Sequence, residues 1–156
     1  MISWMTAVFA VLLGTDVMIK QQVEENLDLQ ETRELPGGRV VIRKVYNRGF
    51  LMNLLDGHEV LVKGASIAAS IGILIWDILV FWKKGSFLKK LGLTLLSAGA
   101  ASNTFDRLAR GKVIDYIGIR TGKKLLARIT ANLGDIYIAC GGLLVMAGEL
   151  IPRRIP

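Results

Sequence analysis

Four long apolar stretches constrain this chain more than any other feature of its sequence. They cover residues 2–22, 59–82, 87–106 and 132–151, and each approaches the roughly 20 residues that an α-helix needs to cross a bilayer. Apolar residues make up 52% of the chain, more than a typical soluble domain carries, and they are bunched instead of spread at amphipathic spacing. We therefore predict an all-α membrane protein with four transmembrane helices and both termini on one side.

The chain is predicted to form a single integral membrane domain over residues 1–156. Its length suggests one domain, and no internal repeat divides it. The first apolar stretch is interpreted as a retained helix and not as a cleaved signal peptide, because it lacks a basic region at its start. In addition, Asp16 and Lys20 stand where a signal peptide would have small residues for cleavage.

A small β-sheet element on the membrane surface is predicted from the polar segments. After QQVEENL, which is expected to finish the first helix in water, the loop over residues 25–58 is β-rich. Pro36-Gly37-Gly38 is a strong turn signal, and RVVIRKVYN after it predicts a strand. NRGFLMNLL at 47–55 is expected to form a second strand or a short interfacial helix, and VIDYIGI at 113–119 predicts a further strand.

The net charge of +7 indicates contact with the anionic headgroups of membrane phospholipids. Nucleic acid is not a predicted partner, because no basic stripe alternates with exposed aromatic residues. The single cysteine, Cys140, excludes an intrachain disulfide framework. We predict no cofactor, and we expect the protein to be a monomer.

The basic residues favour one orientation in the membrane. Residues 21–58 and 106–128 together carry twelve Lys and Arg, whereas the connector 83–90 and the C-terminus carry six. Because cytoplasmic loops carry an excess of Lys and Arg, a literal count puts the larger loops in the cytoplasm. Acidic residues share these loops, and a folded sheet can hide charges from the insertion machinery. Composition alone therefore leaves the orientation open.

Ionisable residues within the apolar stretches suggest function, because they are costly in a membrane. Asp16 and Lys20 lie at i,i+4 on one helical face, so they can form an ion pair near the membrane boundary. Such a pair could orient the first helix or take a direct role. Asp77 has no charged residue within four positions, and the sequence assigns it no role.

A second group of polar residues is predicted to converge at one end of the helices. One turn at the end of the third apolar stretch carries three of them, and the start of the fourth carries two at i,i+3 on one face. The last lies on the strand between these helices. The members are Asn103, Asp106, Arg107, Asp115, Asn132 and Asp135.

Two of the three carboxylates in this group are predicted to act as an acid–base pair. Two close carboxylates cannot both ionise easily, so one keeps a proton. The ionised member can then take a proton from water while the protonated member polarises a carbonyl group. The single histidine, His58, gives poor support to a Ser-His-Asp site, and no His or Cys spacing supports zinc, so we predict no metal. Carboxylates that cap helices or line a transport path remain alternatives at this point.

Four motifs give the chain a resemblance to lipoprotein signal peptidase, also called signal peptidase II, a family of membrane aspartyl proteases. NTFDRLARGKVIDY at 103–116 is similar to the family's stretch of Asn, Asp-Arg, Gly and Val-x-Asp followed by an aromatic residue. ANLGDI at 131–136 is similar to its Asn-x-Ala-Asp block. DVMIK at 16–20 is similar to its Asp-Gln-x-x-Lys block, and NRGFLMNLL to its Asn-x-Gly block.

The resemblance implies an activity, a site and a location. It implies an endopeptidase of the bacterial cytoplasmic (inner) membrane that removes the signal peptide from prolipoproteins just before a diacylglyceryl-modified cysteine. The active site would lie near the outer face, which is opposite to the orientation from the charge count. The resemblance assigns catalysis to Asp115 and Asp135 and a structural role to Asp106. It assigns substrate-binding or supporting roles to Asn103, Arg107, Asn132, Asp16, Lys20, Asn47 and Gly49. Residues 39–55 would form a cradle for the substrate.

Several positions depart from the family's pattern. Where the family has Gln, Gly, an aromatic residue, Ala and Ser, this chain has Val17, Ser102, Ala131, Gly134 and Ile136. These departures leave both proposed catalytic carboxylates in place. They favour, as one alternative, a paralogue that is catalytically inert or altered in specificity. The other alternative is a small membrane transporter with a path lined by Asp77, Asp106, Asp135 and Lys20.

Overall fold

The computed structural model describes residues 2–49, 55, 57–82 and 86–150. This part of the chain is mostly helical, and four of the five helices within it are long. In chain order the elements are α1 (Ile2–Asn26), β1 (Thr32–Glu34), β2 (Val40–Asn47), α2 (Glu59–Phe81), α3 (Phe87–Ala109), β3 (Val113–Ile119), α4 (Lys124–Arg128), β4 (Thr130–Ala131) and α5 (Leu133–Leu150).

The predicted helix and strand positions agree closely with these bounds. The first helix continues past the expected end of its apolar stretch to Asn26, as the polar QQVEENL segment indicated. The strands predicted at RVVIRKVYN and VIDYIGI are β2 and β3. Of NRGFLMNLL, residues 50–54 lie outside the described part of the chain, so the prediction made for that stretch is not tested.

Among the described residues, three helices are long and apolar enough to cross a membrane, namely Ser3–Asn26, Glu59–Phe81 and Leu133–Leu150. The sequence predicted four apolar spans, and one of them, α3, does not meet this measure because it is too polar. Its side chains include Lys89, Lys90, Asp106 and Arg107. A central position explains this composition: α3 packs against α1, α2 and α5, so its polar face meets protein instead of lipid. By contrast, only 6% of the most apolar window of α2 is buried.

Glycines bring α3 and α5 into backbone contact. A Cβ atom on Gly99 would lie 2.2 Å from the carbonyl oxygen of Gly134, and one on Gly92 would lie 2.7 Å from that of Gly141. Such distances leave no room for any side chain. Small residues are the usual means of close helix approach within membranes. Because the two helices are antiparallel, this contact places the start of α5 beside the last turns of α3.

The four strands of the described residues form one antiparallel sheet in the order β1-β2-β3-β4. Its inner face packs on the end of α1, where Val23 and Leu27 contact Ile114 and Tyr116 in a buried apolar cluster. The helix therefore extends beyond the apolar region to support the sheet. This packing fixes β3 above the ends of α1 and α3.

Substitution of Gly99 by Ala is expected to destabilise the protein strongly, because the new methyl group would overlap the backbone of α5. Overpacking of this kind typically costs about 1–3 kcal/mol, and here a backbone atom cannot move aside easily. The matched control is Gly142→Ala on α5, where an added Cβ meets nothing within 4 Å. We expect the control to leave the unfolding midpoint in detergent unchanged or raised, since Ala favours helix more than Gly does. Equal midpoints for the two variants would contradict the packing argument.

Candidate active site

Asp115 lies in the middle of β3, and its side chain is almost fully buried, with 4% of the residue exposed. Its Oδ1 accepts a hydrogen bond from Asn132 Nδ2 at 2.7 Å, and its Oδ2 accepts one from Asn47 Nδ2 at 3.1 Å. Val45 is the residue opposite Asp115 in the ladder, so Asn47 is its diagonal neighbour on the same face. Two amide groups therefore fix both carboxylate oxygens.

Asp135 lies in the first turn of α5 and forms a reciprocal cap with Asn132. The backbone N–H of Asn132 donates to Asp135 Oδ2 at 3.1 Å, and the backbone N–H of Asp135 donates to Asn132 Oδ1 at 2.9 Å. This is the geometry of a capping box, which satisfies backbone groups at the start of a helix. Because the same Asn132 side chain also donates to Asp115, one residue links the two aspartates.

Asn103 connects Asp135 to the buried lysine of α1. Its Nδ2 donates to Asp135 Oδ1 at 2.9 Å, and its Oδ1 accepts from Lys20 Nζ at 2.8 Å. An ammonium group can only donate, so Lys20 determines which end of the amide faces Asp135. The orientation of Asn103 is thus set by a charge on another helix.

Lys20 lies in a fully buried ion network. Its Nζ is 2.9 Å from Asp16 Oδ2 and 3.2 Å from Asp106 Oδ2, and all three side chains have 0% exposure. Ser102 accepts a further hydrogen bond from Lys20 at 3.0 Å and donates to Asp16 at 2.6 Å. The i,i+4 pair predicted for α1 is therefore present. Ser102 and Asp106 connect it to α3.

Asp106 extends this network to β3. Its Oδ2 accepts a hydrogen bond from the backbone N–H of Ile114 at 3.3 Å, and its Oδ1 pairs with Arg110. The basic residues that pair with Asp106 are therefore Lys20 and Arg110. The six polar residues therefore lie near one end of the helices, as expected. Asp106 belongs to the ion network, whereas Asp115 and Asp135 border a cavity.

Tyr116 joins α1 to the start of α5. Its hydroxyl donates to Asp16 Oδ1 at 3.0 Å and accepts from the backbone N–H of Leu133 at 3.2 Å. The residue is buried, and burial together with the neighbouring Asp16 carboxylate raises the pKa of its phenol. Tyr116 therefore remains a neutral donor at any ordinary pH. The sequence marked this position only as the aromatic residue of a motif.

A cavity of about 460 Å³ opens at the two aspartates. Arg107 lines the cavity, and its guanidinium group is held by two backbone carbonyl oxygens. Nη2 donates to that of Gly49 at 2.7 Å, and Nη1 donates to that of Asn103 at 3.3 Å. Gly49 in turn donates its N–H to Asn47 Oδ1 at 3.1 Å. The polar residues on the cavity wall include Asn47, Asn103, Arg107, Asp115 and Asp135, and the apolar ones include Ile73, Leu96 and Ile138.

Burial raises the pKa of Asp115 to about 7, and the negative charge of Asp135 adds to this effect. The hydrogen bonds from Asn47 and Asn132 and the charge of Lys20 act in the opposite direction. An unfolded aspartate has a pKa of about 3.9, so the folded protein holds a proton that the unfolded chain releases between about pH 4 and 7. The contribution of Asp115 to stability is therefore full below about pH 4 and is lost as the pH rises through about 7.

The arrangement offers proton transfer as its chemistry. Two carboxylates joined by one asparagine can exchange a proton with a substrate or a water molecule in the cavity, and a pKa near neutrality suits that task. Within the described residues, no group of three His, Cys, Asp or Glu side chains is placed to hold a metal ion.

The structure brings most of the predicted site residues together. Five of them line the cavity, namely Asn47, Asn103, Arg107, Asp115 and Asp135. Asn132 is fully buried and contacts both aspartates. Two participants had no assigned role from the sequence. Ser102 stood out only as a departure from a motif and Tyr116 only as an aromatic position, so neither hydrogen bond to Asp16 could be anticipated.

Comparison with known proteins gives matches along nearly the whole chain. The family described as "Signal peptidase (SPase) II" matches residues 8–151. A lipoprotein signal peptidase of Fusobacterium nucleatum is 29% identical over 94% of this chain and 86% of its own length. One of Sinorhizobium fredii is 31% identical over 92% of this chain and 84% of its own length.

Solved structures share the fold. A bacterial membrane enzyme determined by the in meso method at 2.3 Å resolution superposes with a TM-score of 0.81 and 19% identity, covering 100% of this chain and 96% of its own. A second, at 1.9 Å resolution, superposes with a TM-score of 0.80 and 21% identity, covering 96% of this chain and 94% of its own.

Helices apolar and long enough to cross a membrane, together with two carboxylates linked by Asn132, define a multi-pass bacterial membrane protein with acid–base groups at one end of its helices. The chain belongs to the signal peptidase II family, since that family matches almost all of it. Membership makes it a protease, and the transporter alternative has no support from the comparisons.

Removal of the Asn47 amide is expected to raise the pKa of Asp115 further. Asn47 donates to Asp115 and thereby favours the ionised form, so Asn47→Ala should shift the titration of Asp115 to higher pH. Difference infrared spectroscopy of the carboxyl C=O band, with Asp115→Asn as the blank, measures this directly. The control is Asn26→Ala, whose amide bonds only within α1. A shift to lower pH would contradict the assignment.

Replacement of Lys20 by Met is expected to destabilise the protein severely. The change leaves Asp16 and Asp106 buried without their shared cation, and breaking a buried ion pair from one side costs about 3–5 kcal/mol. The control is Lys89→Met, which removes an ion pair with the half-exposed Glu149; exposed pairs are worth about 0–1 kcal/mol. Unfolding midpoints in detergent compare the two, and a Lys20 variant as stable as the Lys89 variant would refute the role of the network.

Proposed function

We propose that the protein removes the signal peptide from diacylglyceryl-modified prolipoproteins and that Asp115 and Asp135 form its catalytic dyad. The observation that carries this proposal is the Asn132 link, which holds both carboxylates at the wall of one cavity. The family supplies the reaction class, and two relatives, from Fusobacterium nucleatum and Sinorhizobium fredii, carry the name lipoprotein signal peptidase. The lipid-anchored substrate suits a site at the ends of membrane helices.

The proposed mechanism assigns one role to each aspartate. We assign the proton to Asp115, because burial raises its pKa to about 7, and we assign the role of base to Asp135. Asp135 takes a proton from the attacking water as oxygen bonds to the scissile carbonyl carbon, while Asp115 gives its proton to the carbonyl oxygen. On collapse, Asp135 protonates the leaving amine, Asp115 recovers a proton from the tetrahedral hydroxyl, and the C–N bond breaks.

The supporting residues act by position. Asn103 and Asn132 hold Asp135 through its two oxygens, and Asn47 holds Asp115 from the sheet. Arg107 lies on the wall of the same cavity, where its charge suits a substrate carbonyl or a lipid phosphate. The segment 39–55 is proposed as a substrate cradle only for its described residues, 39–49 and 55.

We further propose that α3 is a fourth span of a single membrane domain, surrounded by the three apolar helices, with a monomer as the working unit. The sheet end faces outward, and both termini lie in the cytoplasm. This orientation opposes the simple charge count, but the structure reduces the force of that count. Five basic residues of the larger loops are already paired with carboxylates: Arg33, Lys44, Arg110, Lys112 and Arg120.

Loss of either dyad carboxylate is expected to abolish cleavage. Asp115→Asn and Asp135→Asn remove proton transfer with almost no change of shape, so cleavage of a lipidated precursor peptide in detergent should fall on the order of 10²–10⁴-fold. Asp28→Asn, at an exposed aspartate beyond the end of α1, is the control and should keep full activity. Wild-type activity in either dyad variant would refute the assignment, and an inactive wild-type protein would favour the inert paralogue.

A further inference from the structure

A second cavity, which we call the membrane cavity, lies next to the catalytic one. Its volume is about 480 Å³, and α1, α2 and α3 form its wall, with Met5, Phe9, Leu74 and Phe81 among the apolar side chains. Ser70, Ile73 and Ala100 line both cavities. The membrane cavity is therefore adjacent to the place where the substrate is cut, and it extends from there toward the other end of the helices.

Asp77 is the one carboxylate among the described residues that line this apolar space. Ser97 donates a hydrogen bond to its Oδ2. The other oxygen, Oδ1, is buried and has no hydrogen-bond partner in the described part of the chain. An acidic side chain at membrane depth is costly unless it meets a donor or a cation. Rotation about its terminal bond can turn either oxygen toward the cavity.

The depth of Asp77 below the dyad can be read along α3. Asn103, which contacts Asp135, follows Ser97, which contacts Asp77, by six residues; this is about 9 Å along a helix. A hydroxyl contact of 2.8 Å between Ser70 and Thr104 fixes α2 beside α3 at the upper level. A group bound at Asp77 thus lies about 9 Å deeper than the dyad.

We propose that the membrane cavity binds the basic n-terminal region of the substrate's signal peptide, with Asp77 as the partner of a Lys or Arg side chain. This inference rests on the proposed function. A signal peptide has a positively charged start followed by about 7–15 apolar residues before its cleavage site. When the scissile bond lies at the dyad, the apolar segment of the signal peptide extends from there into the membrane. The positively charged start of the signal peptide then lies deeper than the dyad and can reach Asp77.

The length of the apolar segment becomes a determinant of specificity. A lysine side chain extends its ammonium group by about 6 Å toward a polar partner. Adding this reach to the 9 Å of depth gives about 15 Å, or roughly ten helical residues between the basic residue and the scissile bond. The enzyme should therefore favour precursors that carry a basic residue roughly ten positions before the scissile bond.

Charge complementarity selects this occupant over an acyl chain. The diacylglyceryl group of the substrate could fill the apolar volume, but hydrocarbon offers no donor to Asp77 Oδ1. An ammonium or guanidinium group satisfies that oxygen and neutralises the carboxylate within a low-dielectric site, where a charge-assisted hydrogen bond is strong.

Two matched lipidated precursor peptides test the proposal, one with Lys and one with Gln roughly ten residues before the scissile bond. We expect the wild-type protein to cleave the Lys peptide with about tenfold higher kcat/KM, mostly through a lower KM. Asp77→Asn should lose this preference and cleave the Gln peptide as the wild type does. Ser97→Ala keeps the carboxylate and should keep the preference.

Each other outcome overturns the inference. An Asp77→Asn variant that retains the preference for Lys would show that the charge is bound elsewhere. Equal losses on both peptides would make Asp77 a structural residue. A preference that follows acyl-chain length and ignores the lysine would place the lipid in the membrane cavity. A wild-type protein that cleaves neither peptide would instead remove the proposed function on which the inference rests.

Discussion

The buried charge of Lys20 is the interaction on which the rest of the site depends. An ammonium group with no exposure must have partners, and it finds them on two helices, in Asp16 of α1 and Asp106 of α3. Through Asn103 the same charge orients a donor toward Asp135. Through Asp106 it reaches the backbone of β3, one residue from Asp115. One cation therefore sets the relative positions of α1, α3, β3 and the carboxylate pair.

This polar interior follows from the apolar exterior. Lipid offers no hydrogen bonds, so polar side chains at membrane depth must satisfy one another within the protein. The helix that carries most of them, α3, lies among the other three long helices, and its glycines let α5 approach to backbone contact. Close approach brings Asn103 within hydrogen-bond distance of Asp135. The same contact between α3 and α5 therefore depends on small residues and positions the proposed dyad.

Local sequence patterns predicted the long helices and two of the strands, but not the contacts between residues that are distant in sequence. Apolar stretches and β-branched runs located the long helices and the strands β2 and β3, because those signals are local. The i,i+3 spacing of Asn132 and Asp135 predicted a shared face, but not that the two residues cap one another. Lys20 and Ser102 are 82 positions apart, and Asp16 and Tyr116 are 100 apart. No periodicity encodes such pairs, so the ion network and the polar character of α3 became intelligible only in the fold.

The Asn132 link makes the carboxylate geometry a property of a helix terminus. Its Oδ1 must face the backbone N–H of Asp135 to cap α5, and this leaves its Nδ2 directed at Asp115. The amide cannot reverse without losing the cap, since the backbone N–H of Asp135 can only donate. Sites built on regular elements hold geometry more exactly than sites on loops. Asp135 therefore has two tasks at once, because the carboxylate proposed to activate water also stabilises the start of the helix that carries it.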